Sequence, residues 1–337
     1  MRLIIDTDTG IDDAQALLMA FNCPDVEVVA ITTCHGNVDV EQINLNVLRV
    51  LKTVDRFDVP VFGGCKASLV GDRKTSAHYH GLDGLGDAPD AHAPPADLIH
   101  GEHAVHALVR MANENPGEYT LVCLAPLTNI ALAMRLDPGF SKNLKGCYIM
   151  GGNYEGKGNI TSCAEFNFHT DPEAADVVLR EMTCEVTVVG WELCLKAAFS
   201  WDWYEKFISQ ESPSANFMRR IEGSTIDNYY SNDAKLKEGV TKYTTADQLA
   251  MAVCLCSSLV ENKFECLASV SLSDGITRGQ MIPDARGRAM MHAKPEQRCV
   301  VVTNIKQALY GEIMMSALMN KSDASVFWKN ISTKQAL

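Results

Sequence analysis

The 337-residue chain has no apolar run long enough to span a bilayer; the longest, LAMAVCLCSSLV at 249–260, reads as a core helix. It also lacks the uncharged segment that a secretory leader needs, because Asp6, Asp8, Asp12 and Asp13 interrupt the apolar N-terminus, and a cytoplasmic location is expected. Basic charge is scarce. Thirty Lys and Arg stand against forty-two Asp and Glu, a net charge of −12, and no local basic stripe offsets the average. Such a surface repels polyanions, so neither nucleic acid nor a membrane is expected as a partner. The twelve cysteines lack a pattern: they are scattered from Cys23 to Cys299, mostly in apolar runs, and Cys254 and Cys256 have no second pair at zinc spacing. Buried, reduced thiols are expected. The zincin spacing is missing too: His100, His103 and His106 in HGEHAVH fall at i, i+3 and i+6, too far round a helix to share one metal, and read as a solvated helix start.

What is present alternates. Short β-rich runs (LIID, VEVVAITT, VPVFG, YTLVCLA, CYIMGG, CEVTVVG) are separated by stretches of helical period at 12–22, 40–54, 102–114, 128–136 and 172–182. This order predicts an α/β, Rossmann-like architecture with a mainly parallel central sheet and helices on both faces. From 200 to 260 the chain reads mostly helical around a polar segment at 222–239. FECLASVSL and QRCVVVTNI look like later strands, and 305–320 like a closing helix. No linker, composition break or repeat divides the chain, which predicts one domain over 1–337. The Gly/Asp/His/Pro-rich stretch at 71–97 is a long loop of the kind that carries function.

The most informative stretch is DTDTGIDDA at 6–14, four carboxylates at the end of an apolar strand with no Lys or Arg after it until Arg49. One of them, Asp12 or Asp13, is explained as the start of the following helix, where free N–H groups favour an anion. The others repel one another unless a cation or shared protons intervene. Oxygen donors without nearby His or Cys favour Ca²⁺ or Mg²⁺ over zinc.

Two families open in this way. The haloacid-dehalogenase-like phosphatases carry Asp-x-Asp-x-Thr after a first strand, but Gly10 stands at the fifth position here, and their later acidic pair is not evident. The full nonapeptide resembles instead the opening of the nucleoside hydrolases. Further matches follow in order: TCHGN with Asn37, HYHGLDGLGD with His80 and Asp83, LAPLTNIA, then GGNYEGKGNITSCAEFNFHTDPEAA with Asn159, Glu165 and Asn167, and ADQLA with Asp247. The resemblance implies hydrolysis of the N-glycosidic bond of ribonucleosides by water activated on Ca²⁺. It implies that Asp8, Asp13, Asp247 and the carbonyl of Leu124 hold the cation, with Asp8 also the base. Asp12, Asn37, His80, Asn159, Glu165 and Asn167 would then face the nucleoside, and a homodimer or homotetramer is implied.

Several residues have plainer readings. Asn159 after Gly158 suits a turn, Thr128 or Asn129 could cap the next helix, and Asp171 before Pro172 reads as a helix cap without a catalytic role. Glu165 and Asn167 would share one face of an extended backbone. One departure stands out: better-known members place His or Trp before the last calcium-binding Asp, where this chain has Ala246. A methyl group neither protonates nor stacks on a departing base. Tyr229 and Tyr230, in a segment with the composition of a mobile lid, are the expected substitutes, with His80 and ordered water as others. Ala246 also leaves open a calcium-dependent nucleoside or ribose binder with little hydrolysis.

Overall fold

The computed structural model describes residues 1–72, 74–90, 92–229, 241–284 and 298–335. Among these, nine strands form one sheet: β1 (Arg2–Thr7), β2 (Glu27–Thr33), β3 (Val61–Phe62), β4 (Tyr119–Cys123), β5 (Gly146–Met150), β6 (Val186–Val189), β7 (Val260–Val270), β8 (Met281–Asp284) and β9 (Cys299–Ile305). Their order is β3-β2-β1-β4-β5-β6-β9-β7-β8. Neighbours from β3 to β9 run parallel, and only β7 is antiparallel to its two partners. The expected α/β fold with a mainly parallel sheet is therefore present.

Alternation along β1 shows how the layers form. Leu3 and Ile5 point into one core with Leu17, Val47, Leu249 and Ile313, while Ile4 points into the other with Leu108, Ile130 and Val178. Helices Ile11–Asn22, Val40–Val54, Asp247–Leu255 and Gln307–Ala317 cover the first face, and Ala104–Glu114, Thr128–Leu136 and Pro172–Glu181 cover the second. A strand buried on both faces has no polar side to show, which is why LII and VTVV are continuous apolar or β-branched runs.

Three expectations need correction. The short strand Met281–Asp284 and the terminal helix Lys321–Gln335 are additional elements. The polar segment at 222–239 is not a loop at its start, because helix Pro213–Tyr229 runs through it, anchored by buried Phe217, Met218 and Ile221. The side chain of Tyr229, like all of Tyr230, lies outside the described residues.

After β1 the chain builds outward to β2 and β3, then returns to place β4 on the other side of β1. Strand order reverses there, leaving a crevice beyond the C-terminal ends of β1 and β4. The Asp-rich loop lies at that point.

Candidate active site

Asp8 follows the last residue of β1, and its Oδ2 accepts the Asn37 backbone N–H at 2.8 Å. Asn37 comes from the loop after β2, and its side-chain Nδ2 reaches the Asp8 carbonyl and Asp13 Oδ2, both at 3.3 Å. Gly36 makes this approach possible: a Cβ there would stand 2.0 Å from Asp8 Oδ2. Gly36→Ala is therefore expected to displace the Asp8 carboxylate and lower kcat by about 10²-fold, the usual consequence of an ångström of misplacement. Turnover measured beside a thermal melt checks this.

Gly10 is the N-cap of helix Ile11–Asn22, with Asp12 and Asp13 in the first turn as the sequence suggested. Asp13 Oδ2 accepts the Gly10 N–H at 2.9 Å, and its Oδ1 accepts the Thr7 hydroxyl at 2.5 Å. Asp12 is half-buried and accepts the Asp13 N–H at 3.2 Å. Asp247 opens a helix packed on Ile11–Asn22, and Gln248 Nε2 donates to Gln15 Oε1 between them at 2.6 Å. That packing brings carboxylate oxygens of Asp12, Asp13 and Asp247 within 4.8 Å of one another.

Burial, and then the charge of its neighbours, drives each acid upward. Asp13 is pushed to about 7, and Asp8 and Asp247 well above the ordinary carboxylate range. The charges acting on these three are chiefly one another's and that of Asp12. Buried, all-oxygen and mutually repelling, the cluster fits a hard divalent cation. The Leu124 carbonyl, beyond β4, lines the same cavity and accepts Asn167 Nδ2 at 2.8 Å. Asp6 turns elsewhere: Thr32 and Asn129 donate to its Oδ1 at 2.5 and 2.8 Å, and burial pushes it to about 7.

A cavity of about 580 Å³ opens above the cluster, bordered by Asp8, Asp12, Asn37, His80, Asn167 and Asp247. Glu165 also lines it, but as the N-cap of helix Phe166–Thr170. Its oxygens accept the N–H groups of Gly152, Asn167 and Phe168 at 2.9, 2.8 and 3.2 Å, and burial still pushes the carboxyl to about 7. The extended backbone expected for Glu165 and Asn167 is thus a helix start. Asn159 is exposed and borders the cavity from the loop after β5. Burial holds His80 below its ordinary value; Nδ1 accepts the Ile11 N–H at 3.1 Å, which leaves Nε2–H as the donor of the neutral ring.

Other candidates are placed outside. Asp83 pairs with Arg49 at 3.0 Å and accepts the N–H groups of Leu85 and Asp87, holding its loop to helix Val40–Val54. Neither Thr128 nor Asn129 caps its helix: the Thr128 hydroxyl donates to Asp171, and Asn129 ties together Asp6, Thr33 and Cys65. Asp171 is the expected cap, accepting the Ala174 N–H at 3.0 Å. His103 is the N-cap of its helix, and its ring accepts the Val105 N–H. All twelve cysteines are free thiols. Glu222, Tyr243 and Gln248 line the cavity without having been anticipated. Glu222 had left a signal: it falls on the apolar stripe of Phe217, Met218 and Ile221, where an exposed charge does not belong.

Buried carboxylates converging on a cavity of this size, where the sheet order reverses, describe an enzyme acting on a small polar molecule. The chain belongs to the inosine-uridine preferring nucleoside hydrolase family, whose model matches residues 3–311. It is a hydrolase, and the phosphatase alternative is set aside by that match. It is 36% identical to a probable uridine nucleosidase 2 of Arabidopsis thaliana over 82% of this chain and 84% of that one. It is 32% identical to an inosine-uridine preferring nucleoside hydrolase of Crithidia fasciculata over 86% and 90% of the two chains. Among solved structures, an inosine-guanosine nucleoside hydrolase superposes with a TM-score of 0.84 at 31% identity, covering 94% of this chain and 98% of that one.

Proposed function

We propose that residues 1–337 act as one unit that hydrolyses the N-glycosidic bond of purine and pyrimidine ribonucleosides in a Ca²⁺-dependent reaction. The observation that supports this most is the convergence of Asp12, Asp13 and Asp247, whose carboxylate oxygens lie within 4.8 Å of one another, beside a buried Asp8 that feels the charges of Asp13 and Asp12. Asp8, Asp13, Asp247 and the Leu124 carbonyl would hold the cation. When bound, a hard divalent cation acidifies and orients water. Asp8 then takes the proton of the water that attacks the anomeric carbon, kept in place by the Asn37 N–H. Asp12, Asn37, His80, Asn159, Glu165 and Asn167 orient the nucleoside from the cavity wall. The free thiols fit a reducing cytoplasm, and an assembly of two or four identical chains is part of the proposal.

Ribose release from a panel of nucleosides, with calcium and with a chelator, tests the reading. Turnover should fall to background with chelator and return with calcium; nucleoside binding without ribose release would favour the binder. Stability supplies a second readout. Asp13 and Asp6 bind protons more tightly folded, at about 7, than at their ordinary 3.8. Their contribution is therefore largest at acid pH and is lost as pH rises towards 7. Without calcium, Tm should fall between pH 5 and pH 8. Calcium at a hundredfold excess over Kd should restore about 2.7 kcal/mol at pH 8, where protons no longer compete, and less at pH 5. Scanning fluorimetry at both pH values checks the sign.

A further inference from the structure

Ala246 borders the cavity with only a methyl group, so the departing base needs a proton from elsewhere. Glu222 borders the same cavity from helix Pro213–Tyr229, buried to 4% exposure. Its oxygens accept the hydroxyls of Tyr204 at 3.1 Å and Tyr243 at 2.7 Å. The helix is fixed over the His80 loop by Thr225, whose hydroxyl donates to the Tyr79 carbonyl at 2.9 Å, and by Ser224, which donates to the Gly86 carbonyl at 2.7 Å. Gly86, at φ +68°, lets the two backbones touch: a Cβ there would meet the Ile221 carbonyl at 2.0 Å. Glu222 is close enough to the acid cluster to feel the charge of Asp12. A carboxyl buried on the core side of a helix, held by two tyrosine hydroxyls and bordering a ligand cavity, is the kind of perturbed acid that clusters at functional sites.

We propose that Glu222 is the acid that protonates the nucleobase as it leaves. The inference rests on the ribonucleoside hydrolysis proposed above. Burial pushes the Glu222 carboxyl up to about 7, so a substantial fraction carries a proton at neutral pH. Tyr243 is driven well above its ordinary value and keeps its proton, while His80 is pushed down, which depletes the protonated ring that could give one. In the step, the C1′–N bond breaks and its electron pair passes to the base, which takes the Glu222 proton. The Tyr204 and Tyr243 hydroxyls stabilise the carboxylate left behind. Water oxygen bonds to C1′ and its proton passes to Asp8; solvent exchange then returns a proton to Glu222 and removes one from Asp8.

The test compares uridine and inosine with para-nitrophenyl riboside, whose leaving group needs no proton, using the full chain with calcium. Glu222→Gln should lower kcat on the two nucleosides by about 10²-fold or more, with KM little changed, and lower it on the nitrophenyl riboside by less than about threefold. Equal loss on all three, or no loss on any, overturns the proposal. So does a wild-type enzyme that cleaves nucleosides but not the nitrophenyl riboside. If Glu222→Gln does not fold, Tyr243→Phe keeps the carboxyl and removes one donor; it should show the same selectivity at about tenfold, and an unselective loss overturns the assignment. Wild-type protein inert on every riboside sinks the hydrolase reading itself, and this inference with it.

Discussion

Asp8→Asn is expected to lower kcat by about 10³-fold or more while leaving the protein folded. The substitution keeps the shape and one oxygen, so the Asn37 N–H retains an acceptor at the strand end. It removes the negative charge that would accept the water proton and help hold the cation. It also relieves repulsion from Asp13, the largest charge acting on Asp8, so the calcium-free variant should melt no lower than wild type. Loss of turnover together with equal or higher Tm without calcium separates this outcome from misfolding. Stopped assays of ribose release and scanning fluorimetry on the same preparation provide both numbers.

The second large effect concerns the sugar. A cavity wall with Asp12, Asn37, Asn159 and Asn167 presents donors and acceptors placed for a polar ligand. Where a site is built to hydrogen-bond a hydroxyl, a ligand lacking it leaves buried groups unpaired, and discrimination of about 10⁴-fold follows. A 2′-deoxynucleoside should therefore show kcat/KM lower than its ribonucleoside by about that factor. Rates within tenfold of each other would mean that the ribose diol is not what these residues recognise.

Much of this site was legible in the sequence because it is local. Asp8, Asp12 and Asp13 sit just after one strand end and at one helix start, so residue order alone placed them beside one another. Asp247 was identified through its ADQLA match. The structure adds the reason it reaches the cluster, a helix packed on Ile11–Asn22 with Gln15 and Gln248 joined between them. Parallel order was equally plain, since β1 to β6 alternate with helices.

Misread residues were those whose partners lie far along the chain. Asn129 looks like a cap by its position, yet its side chain is spent on Asp6, Thr33 and Cys65. Glu165 and Asn167 look extended by spacing, but Glu165 gathers three backbone N–H groups and starts a helix. Glu222 went unnoticed because the polar residues after it gave the segment the composition of a loop. Its own burial and the Tyr204 and Tyr243 hydroxyls it accepts show that its carboxyl faces inward, as its place on the apolar stripe of Phe217, Met218 and Ile221 suggests.

A crystal grown with calcium tests the metal site most directly. One cation peak about 2.3–2.6 Å from oxygens of Asp8, Asp13, Asp247 and Leu124 is expected. No peak there at saturating calcium, in protein that still releases ribose, would contradict it.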